Sequence, residues 1–224
     1  QITFSAWVKL NNVGSSYTVL SGWENGGETY GMFINYDTPD MVPMFTVHPV
    51  GMNQETAFSN QYLLPNDWHH LVGTWDRQHV KIYFDGALTG EHDYGSEQPL
   101  LYNMIDLKIA RNEAESRRYL DGCLDDVILF DRVLSPAEID SMFHIGGWDV
   151  IAADAPFAYY PLDGDATDAS GHGNHGVNNG AQATEDRFGN PNSAMLFNGS
   201  SDFIDLDALD GFSEQSFSLS GWFN

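Results

Sequence analysis

The sequence has few basic residues: 9 lysines and arginines face 32 aspartates and glutamates, for a formal net charge of −23 over 224 residues. This charge repels phosphate backbones, so we predict no nucleic-acid partner, and it disfavours anionic membrane surfaces for the same reason. The acidic excess fits a secreted protein in salty or calcium-bearing water, where cations screen or bind carboxylates. Solubility alone is the alternative explanation.

Cysteine is nearly absent as well. With Cys123 alone, the chain can form neither an internal disulfide framework nor a cysteine-based zinc site. No apolar run is long enough to span a bilayer, so we predict no membrane insertion. Two catalytic signatures are also missing: the G-x-S-x-G elbow, and the E-x-D-x-x-E-like triplet that sets an acid and a nucleophile at a fixed separation. We therefore predict no catalytic residues and a protein that is not an enzyme.

The two ends of the chain resemble each other. The segments ITFSAWV (2–8) and FSLSGWF (217–223) alternate apolar with small or polar residues and place Trp7 and Trp222 at the same step, 215 residues apart (222 minus 7). We predict one period of a tandem repeat. Residues 1–147 would be the C-terminal portion of one repeat, 148–155 a linker, and 156–224 the N-terminal portion of the next. The two portions can pack as one permuted domain or remain two partial ones, and the chain would have covalent neighbours in a larger protein.

Short alternating segments separated by Gly, Asn, Asp and Pro predict that nearly all of the regular structure is β-strand. Asp85 and Gly86 form a two-residue hairpin signal, because both tolerate positive φ. One helix is predicted near 135–143, where Ser135 is the N-cap and Glu138 completes a capping box. The predicted strands are 1–9, 17–21, 29–36, 41–48, 68–75, 80–84, 106–110 and 123–130.

Several motifs together carry a family resemblance. In the first portion they are WHHLVGTWD (68–76), VKIYFDG (80–86), DGCLDDVILF (121–130) and LSPAEI (134–139). In the second they are YPLDG (160–164), DASGHGNHG (168–176) and AMLFNG (194–199). In this order and spacing the chain resembles the laminin-G-like, concanavalin A-like jelly-roll domains of bacterial extracellular proteins. The resemblance implies an all-β fold of two packed antiparallel sheets, an extracellular or cell-surface location, and a glycan or matrix ligand.

Acidic and amide side chains in a glycine-rich loop are the best candidates for a structural calcium site, because Ca²⁺ needs six to eight oxygen ligands. The family resemblance further implies that calcium lies between this loop and an aspartate of the DGCLDDVILF strand. The alternative is an Asx-turn loop, in which carboxylates bond their own backbone. The candidate ligands are Asp163, Asp165, Asp168, Asn174, Asp125 and Asp126.

Aromatic side chains that stack on sugar faces are needed for glycan recognition, together with polar groups for the hydroxyls. Trp7, Trp68 and Trp222 lie in core-like alternating patterns and are predicted to be packing residues. The candidate ligand-binding residues are Trp23, Tyr30, Tyr36 and Trp75.

Three functional hypotheses follow from the sequence. The first is a non-catalytic, calcium-stabilised carbohydrate- or surface-binding module of a larger secreted protein. The second is a structural or adhesion repeat without a small ligand, and the third is a polysaccharide-cleaving enzyme of concanavalin-like fold. The repeat favours the first two, because weak modules in tandem gain avidity.

Overall fold

The structure, a computed structural model, describes residues 1–12, 15–24, 27–34, 41–100, 107–112, 118–145, 156–206 and 218–221. Within these ranges the side chains of residues 23, 24, 27–29, 145 and 218–221 are not described. In the described part the regular structure is sixteen strands and one helix.

The strands, in chain order, are β1 (Ile2–Leu10), β2 (Tyr17–Glu24), β3 (Gly27–Ile34), β4 (Pro43–Val47), β5 (Glu55–Phe58), β6 (His69–Trp75), β7 (His79–Phe84), β8 (Ala87–Asp93), β9 (Lys108–Ile109), β10 (Asp121–Phe130), β11 (Ala158–Tyr160), β12 (Val177–Asn179), β13 (Gln182–Thr184), β14 (Ala194–Asn198), β15 (Phe203–Asp205) and β16 (Ser218–Gly221). The helix, α1 (Pro136–Ile145), follows β10.

Most of the strands form two sheets. Sheet A has the order β13-β14-β10-β1-β6-β7-β8, with β16 paired to β10 outside this order, and sheet B has the order β12-β15-β9-β2-β3-β4-β5. Neighbouring strands run antiparallel in both sheets. The prediction of an all-β, two-sheet sandwich with one short helix is confirmed.

Two local predictions from turn and cap chemistry are also confirmed. Asp85 and Gly86 join β7 to β8 with φ values of 48° and 80°, as a two-residue hairpin of this type requires. At the start of α1, the Glu138 N–H donates to Ser135 Oγ at 3.3 Å and the Ser135 N–H donates to the Glu138 carboxylate at 2.7 Å. This reciprocal pair is a capping box and explains why the helix begins here.

Both sheets contain strands from both portions of the chain. In sheet A, β14 pairs with β10, where Leu124 lies opposite Met195. In sheet B, β15 pairs with β9, where Ile109 lies opposite Ile204. Residues 156–206 therefore complete the same sandwich as residues 1–145. The origin of the two portions in neighbouring repeats stays a prediction.

The hydrophobic core lies between the sheets. Phe4 of β1 stacks on Phe45 of β4 with 6.3 Å between ring centroids and 4° between ring planes, and both side chains are buried. Gly73 of β6 makes this approach possible, because a Cβ there would lie 2.3 Å from Phe45 Cγ. Among the described residues, no helix has the length and apolar character needed to cross a membrane.

Candidate functional site

The face of sheet A that points away from the core is largely covered. Ser5 and Trp7 alternate with core residues of β1, and Ser5 Oγ lies 2.6 Å from Nε2 of the buried His70. Trp7 stacks on Phe143 of α1 with 5.4 Å between ring centroids. The helix therefore forms a partial third layer, and side chains beneath it are shielded from water.

Two neighbouring aspartates of β10 meet one arginine of the second portion, whose guanidinium lies over the Trp7 ring, 5.5 Å from its centroid. The Arg187 guanidinium donates from Nη1 to Asp125 Oδ2 at 2.5 Å and from Nη2 to Asp126 Oδ2 at 3.2 Å. The Tyr159 hydroxyl donates to Asp126 Oδ1 at 2.8 Å. We call these four residues the Asp–Arg cluster. It links residues 156–206 to the centre of sheet A.

A bulge in β10 explains how consecutive aspartates reach the same partner. Ser5 lies opposite Ile128 and Trp7 lies opposite Asp125, so β10 has one more residue than β1 across this step. Asp126 has a φ of 52°, the left-handed conformation that one type of bulge requires and that Asp tolerates better than most residues. Without the bulge, adjacent side chains would point to opposite faces of the sheet.

Burial dominates the electrostatics of the cluster. It raises the pKa of Asp125 to about 9, and the charge of Asp126 adds to the rise while Arg187 opposes it. Burial also raises the pKa of Asp126 to about 6, again opposed by Arg187. Because one guanidinium balances one carboxylate, the aspartate pair holds a proton near neutral pH, which removes the surplus negative charge from the buried site.

Of the predicted calcium ligands in the glycine-rich loop, Asp163 lies near enough to Asp126 for its charge to raise the Asp126 pKa, whereas Asp168 is engaged by the loop's own backbone. The Asp168 carboxylate accepts backbone N–H bonds from Tyr159 at 3.0 Å, Ser170 at 2.8 Å and Asn174 at 2.9 Å. Burial by itself would raise the pKa of Asp168, but these hydrogen bonds lower it below its usual value. The carboxylate is thus used to hold the loop together.

Asp165 and Asn174 also form hydrogen bonds with nearby backbone groups. Asp165 accepts the Thr167 N–H at 2.8 Å, the Asn174 amide donates to the Phe157 carbonyl at 3.0 Å, and Asp163 is exposed. Within the described residues, no group of three or more His, Cys, Asp or Glu side chains has an arrangement that could hold a metal ion. The Asx-turn alternative therefore describes Asp165 and Asp168, and calcium stays a prediction without a common ligand cluster in this part of the chain.

Two of the four predicted sugar-stacking aromatics, Tyr30 and Trp75, need correction. Trp75 is 3% exposed and Tyr30 is 9% exposed, so both rings pack in the core and offer no open face. The Trp75 indole N–H donates to the Tyr94 hydroxyl at 2.8 Å, which satisfies its polar group inside the fold. The side chain of Trp23 is not described, and Tyr36 lies outside the described residues.

A groove that sequence reasoning missed, with a volume of about 500 Å³, extends from β1 and β10 in the middle of sheet A to the turn that follows the edge strand β13. Trp68, which the sequence pattern assigns to packing, is half-buried and contributes its side chain to the groove. Lys9 Nζ lies over the Trp68 ring, 5.8 Å from its centroid. The sequence could have indicated this role, because Trp68 lies directly before β6. Outside a strand, the alternation of apolar and polar residues does not predict that a side chain points into the core. The groove is lined by Lys9, Trp68, Cys123, Thr184, Glu185, Asp186, Pro191 and Asn192.

One wall of the groove is a well-bonded turn. The Asp186 carboxylate accepts backbone N–H bonds from Phe188 at 2.8 Å and Asn190 at 2.7 Å, and it also accepts the Asn190 side-chain amide at 2.7 Å. Burial by itself would raise the pKa of Asp186, but these hydrogen bonds and the charge of Arg187 lower it below its usual value. At the floor, burial raises the pKa of the Cys123 thiol to about 11, so it stays protonated at neutral pH. The groove is therefore polar, preformed and chemically unreactive at these two positions.

The fold has clear relatives. The sequence model of a family described as the concanavalin A-like lectin/glucanases superfamily, Laminin G 3, matches residues 1–140. This match covers more than half of the chain, so the protein belongs to that superfamily. A search of curated protein sequences finds no match.

Similar solved structures include a candidate carbohydrate-binding protein from Bacteroides ovatus ATCC 8483, at 18% identity and a TM-score of 0.57 over 92% of this chain and 54% of that one. A heptameric SAP-like pentraxin from Limulus polyphemus matches at 12% identity and a TM-score of 0.48, over 65% of this chain and 70% of that one. Domain 4 of a GH43 extracellular arabinanase from Geobacillus stearothermophilus, in complex with arabinotriose, matches at 14% identity and a TM-score of 0.43. This match covers 63% of this chain and 66% of that one. The chain spans about half the length of the Bacteroides protein. At these identities the likeness shows the fold alone.

Proposed function

We propose that this chain is a non-catalytic carbohydrate-binding module that acts outside the cell as part of a larger protein, with the Trp68 groove as its binding site. The observation that carries the proposal is a half-buried indole at the edge of a preformed polar groove. The Bacteroides protein of the same fold is described as carbohydrate-binding, which agrees with this proposal.

The groove has the chemistry that sugar recognition needs. A sugar ring has an apolar face that stacks on an indole, and a rim of hydroxyls that needs nearby hydrogen-bonding groups. Trp68 packs against the core, which holds the indole in place before a ligand arrives, and the flexible Lys9 side chain over its ring would have to move aside for a sugar to stack there. Thr184, Glu185 and Asn192 supply hydroxyl, carboxylate and amide groups in the same groove. The volume of about 500 Å³ lies in the range of small-ligand sites.

Charge narrows the class of ligand. The net charge of −23 and two acidic side chains in the groove oppose sulfated or uronic-acid polysaccharides. We therefore infer that the ligand is a neutral glycan. Its affinity should depend weakly on salt, because few ion pairs form on binding.

The aspartates with shifted pKa values are poor candidates for the general acid of a glycosidase. A glycosidase needs a general acid that keeps its proton near neutral pH, beside a second carboxylate at the sugar. In the groove, the pKa of Asp186 is lowered, so this side chain is ionised and cannot be that acid. The two aspartates with raised pKa values, Asp125 and Asp126, are bonded to Arg187 and shielded from water.

A glycan array with neutral and sulfated members, followed by calorimetry, tests the proposal. We expect binding to neutral oligosaccharides and a loss of about tenfold or more in affinity for Trp68→Ala, which is ~1.4 kcal/mol or more. Phe58→Ala is the matched control, because Phe58 is 50% exposed on β5 in the other sheet and should leave affinity unchanged. Absence of binding to every glycan would favour the adhesion-repeat alternative, and release of reducing sugar would favour an enzyme.

A further inference from the structure

Two of the predicted calcium ligands, Asp125 and Asp126, already share a cation. The Arg187 guanidinium donates to the Oδ2 oxygen of each carboxylate, and the Tyr159 hydroxyl donates to Oδ1 of Asp126. Three of the four carboxylate oxygens therefore accept a hydrogen bond from inside the protein. The side chains of both aspartates and of Arg187 are largely buried, so these bonds are shielded from competition with water.

The cluster lies where the sequence predicts calcium, at the junction of β10 with the glycine-rich loop. The Asp126 N–H donates to the Pro161 carbonyl at 3.4 Å. Tyr159 connects the two sides, because its hydroxyl bonds Asp126 while its N–H bonds the Asp168 carboxylate. Asp163 is also close enough for its charge to act on Asp126.

The residues at this junction do not fit calcium while Arg187 is in place. Calcium needs about six to eight oxygen ligands, and a guanidinium has no lone pair with which to be one of them. An ion that used both Oδ2 oxygens would have to displace the guanidinium. That group is held by two aromatic rings as well, since Arg187 Cζ lies 5.5 Å from the Trp7 ring centroid and 4.5 Å from that of Phe188.

We propose that Arg187 takes the place of a structural calcium ion, with its guanidinium supplying the positive charge that holds residues 156–206 against β10. A cation that is part of the chain cannot be removed by a chelator. The joint between the two portions of the chain is therefore independent of the calcium concentration around the protein. The inference goes beyond carbohydrate binding and does not depend on the Trp68 groove.

Thermal unfolding of the whole chain in excess CaCl₂ and in EDTA tests the proposal. The native chain should melt at the same temperature in both solutions. If calcium raises the melting temperature and either Asp126→Asn or Asp163→Asn abolishes the rise, calcium binds at the cluster and the proposal is wrong. Asp163→Asn should fold normally, because Asp163 is exposed. A rise that both variants keep comes from another part of the chain and agrees with the proposal.

Replacement of Arg187 provides the converse measurement. Arg187→Ala frees the two aspartates for a divalent cation, so Ca²⁺ should raise its melting temperature by roughly 5–10 °C at about a hundred times the Kd. Arg187→Lys is the matched control. It keeps a positive charge at this position but loses the forked geometry, and it should melt at the same temperature in CaCl₂ and in EDTA.

Two results with these variants would overturn the proposal. One is a folded Arg187→Ala chain that gains no stability in CaCl₂, and the other is an equal gain in Arg187→Lys. If Arg187→Ala does not fold, the comparison of the native chain with Asp126→Asn and Asp163→Asn still decides whether calcium binds at the cluster.

Discussion

Removal of Arg187 is expected to be among the most damaging single changes to this fold. Arg187 is the shared partner of Asp125 and Asp126, and the side chains of Arg187, Asp125 and Asp126 are 8%, 5% and 15% exposed. Arg187→Ala leaves the ionised member of the buried aspartate pair without its cation, and loss of one partner from a buried ion pair costs about 3–5 kcal/mol. For a domain of this size that corresponds to a fall in melting temperature of roughly 6–20 °C.

The stability lost in Arg187→Ala should depend on pH and should increase as the pH rises. In the native protein the folded pKa values of Asp126 and Asp125 are raised to about 6 and about 9, above the ordinary aspartate value of 3.8. Stability from such groups is fully present below the unfolded pKa and is lost as pH rises through the folded pKa. Removal of the guanidinium raises the pKa values of both aspartates further, because its positive charge favours their ionised forms. The Arg187→Ala defect should therefore be smaller at about pH 5 than at about pH 8.

Urea denaturation followed by tryptophan fluorescence at both pH values provides the assay. Arg132→Ala is the matched control, because Arg132 pairs with Glu138 at the surface, where the side chains are 28% and 33% exposed. Such a pair contributes at most about 1 kcal/mol. A loss below ~1 kcal/mol for Arg187→Ala at pH 8, or an equal loss at both pH values, would refute the account of the Asp–Arg cluster.

Three further changes test other parts of the structure. Gly73→Ala should destabilise by about 1–3 kcal/mol, because its Cβ would collide with the Phe45 ring; an unchanged thermal midpoint would contradict the packing described. Ser135→Ala removes the N-cap of α1 and should cost about 1 kcal/mol in denaturant titrations, whereas no loss would mean that the cap does not fix the helix start. Asp168→Asn should lower the melting temperature equally in Ca²⁺ and in EDTA, since this carboxylate bonds backbone N–H groups; a calcium-dependent difference would instead support the predicted calcium site.

The sequence predicts the framework well where local chemistry determines it. Alternation in residues 68–75 and 123–130 marks the central strands, and the turn at Asp85 and Gly86 follows from their tolerance of positive φ. The short strands of the second portion are harder to predict. Strand β12, for example, has three exposed residues and no periodic apolar pattern, and its position depends on pairing with β15.

The site is less predictable because it depends on tertiary contacts. Alternation indicates that Trp75 and Trp68 belong to the same strand region, but only the packed structure shows that Trp75 is buried and that Trp68 borders a groove. The DD pair of β10 suggests calcium ligands when the sequence is considered alone. Its actual partner, Arg187, lies about sixty residues further along the chain, and no local pattern connects them.

The most direct test of carbohydrate binding at the groove is the indole N–H resonance of Trp68, assigned by comparison with Trp68→Phe, during titration with a neutral oligosaccharide selected from the array. We predict that this resonance shifts in proportion to site occupancy while that of the buried Trp75 stays in place. Saturable binding that leaves the Trp68 resonance unmoved would contradict the account.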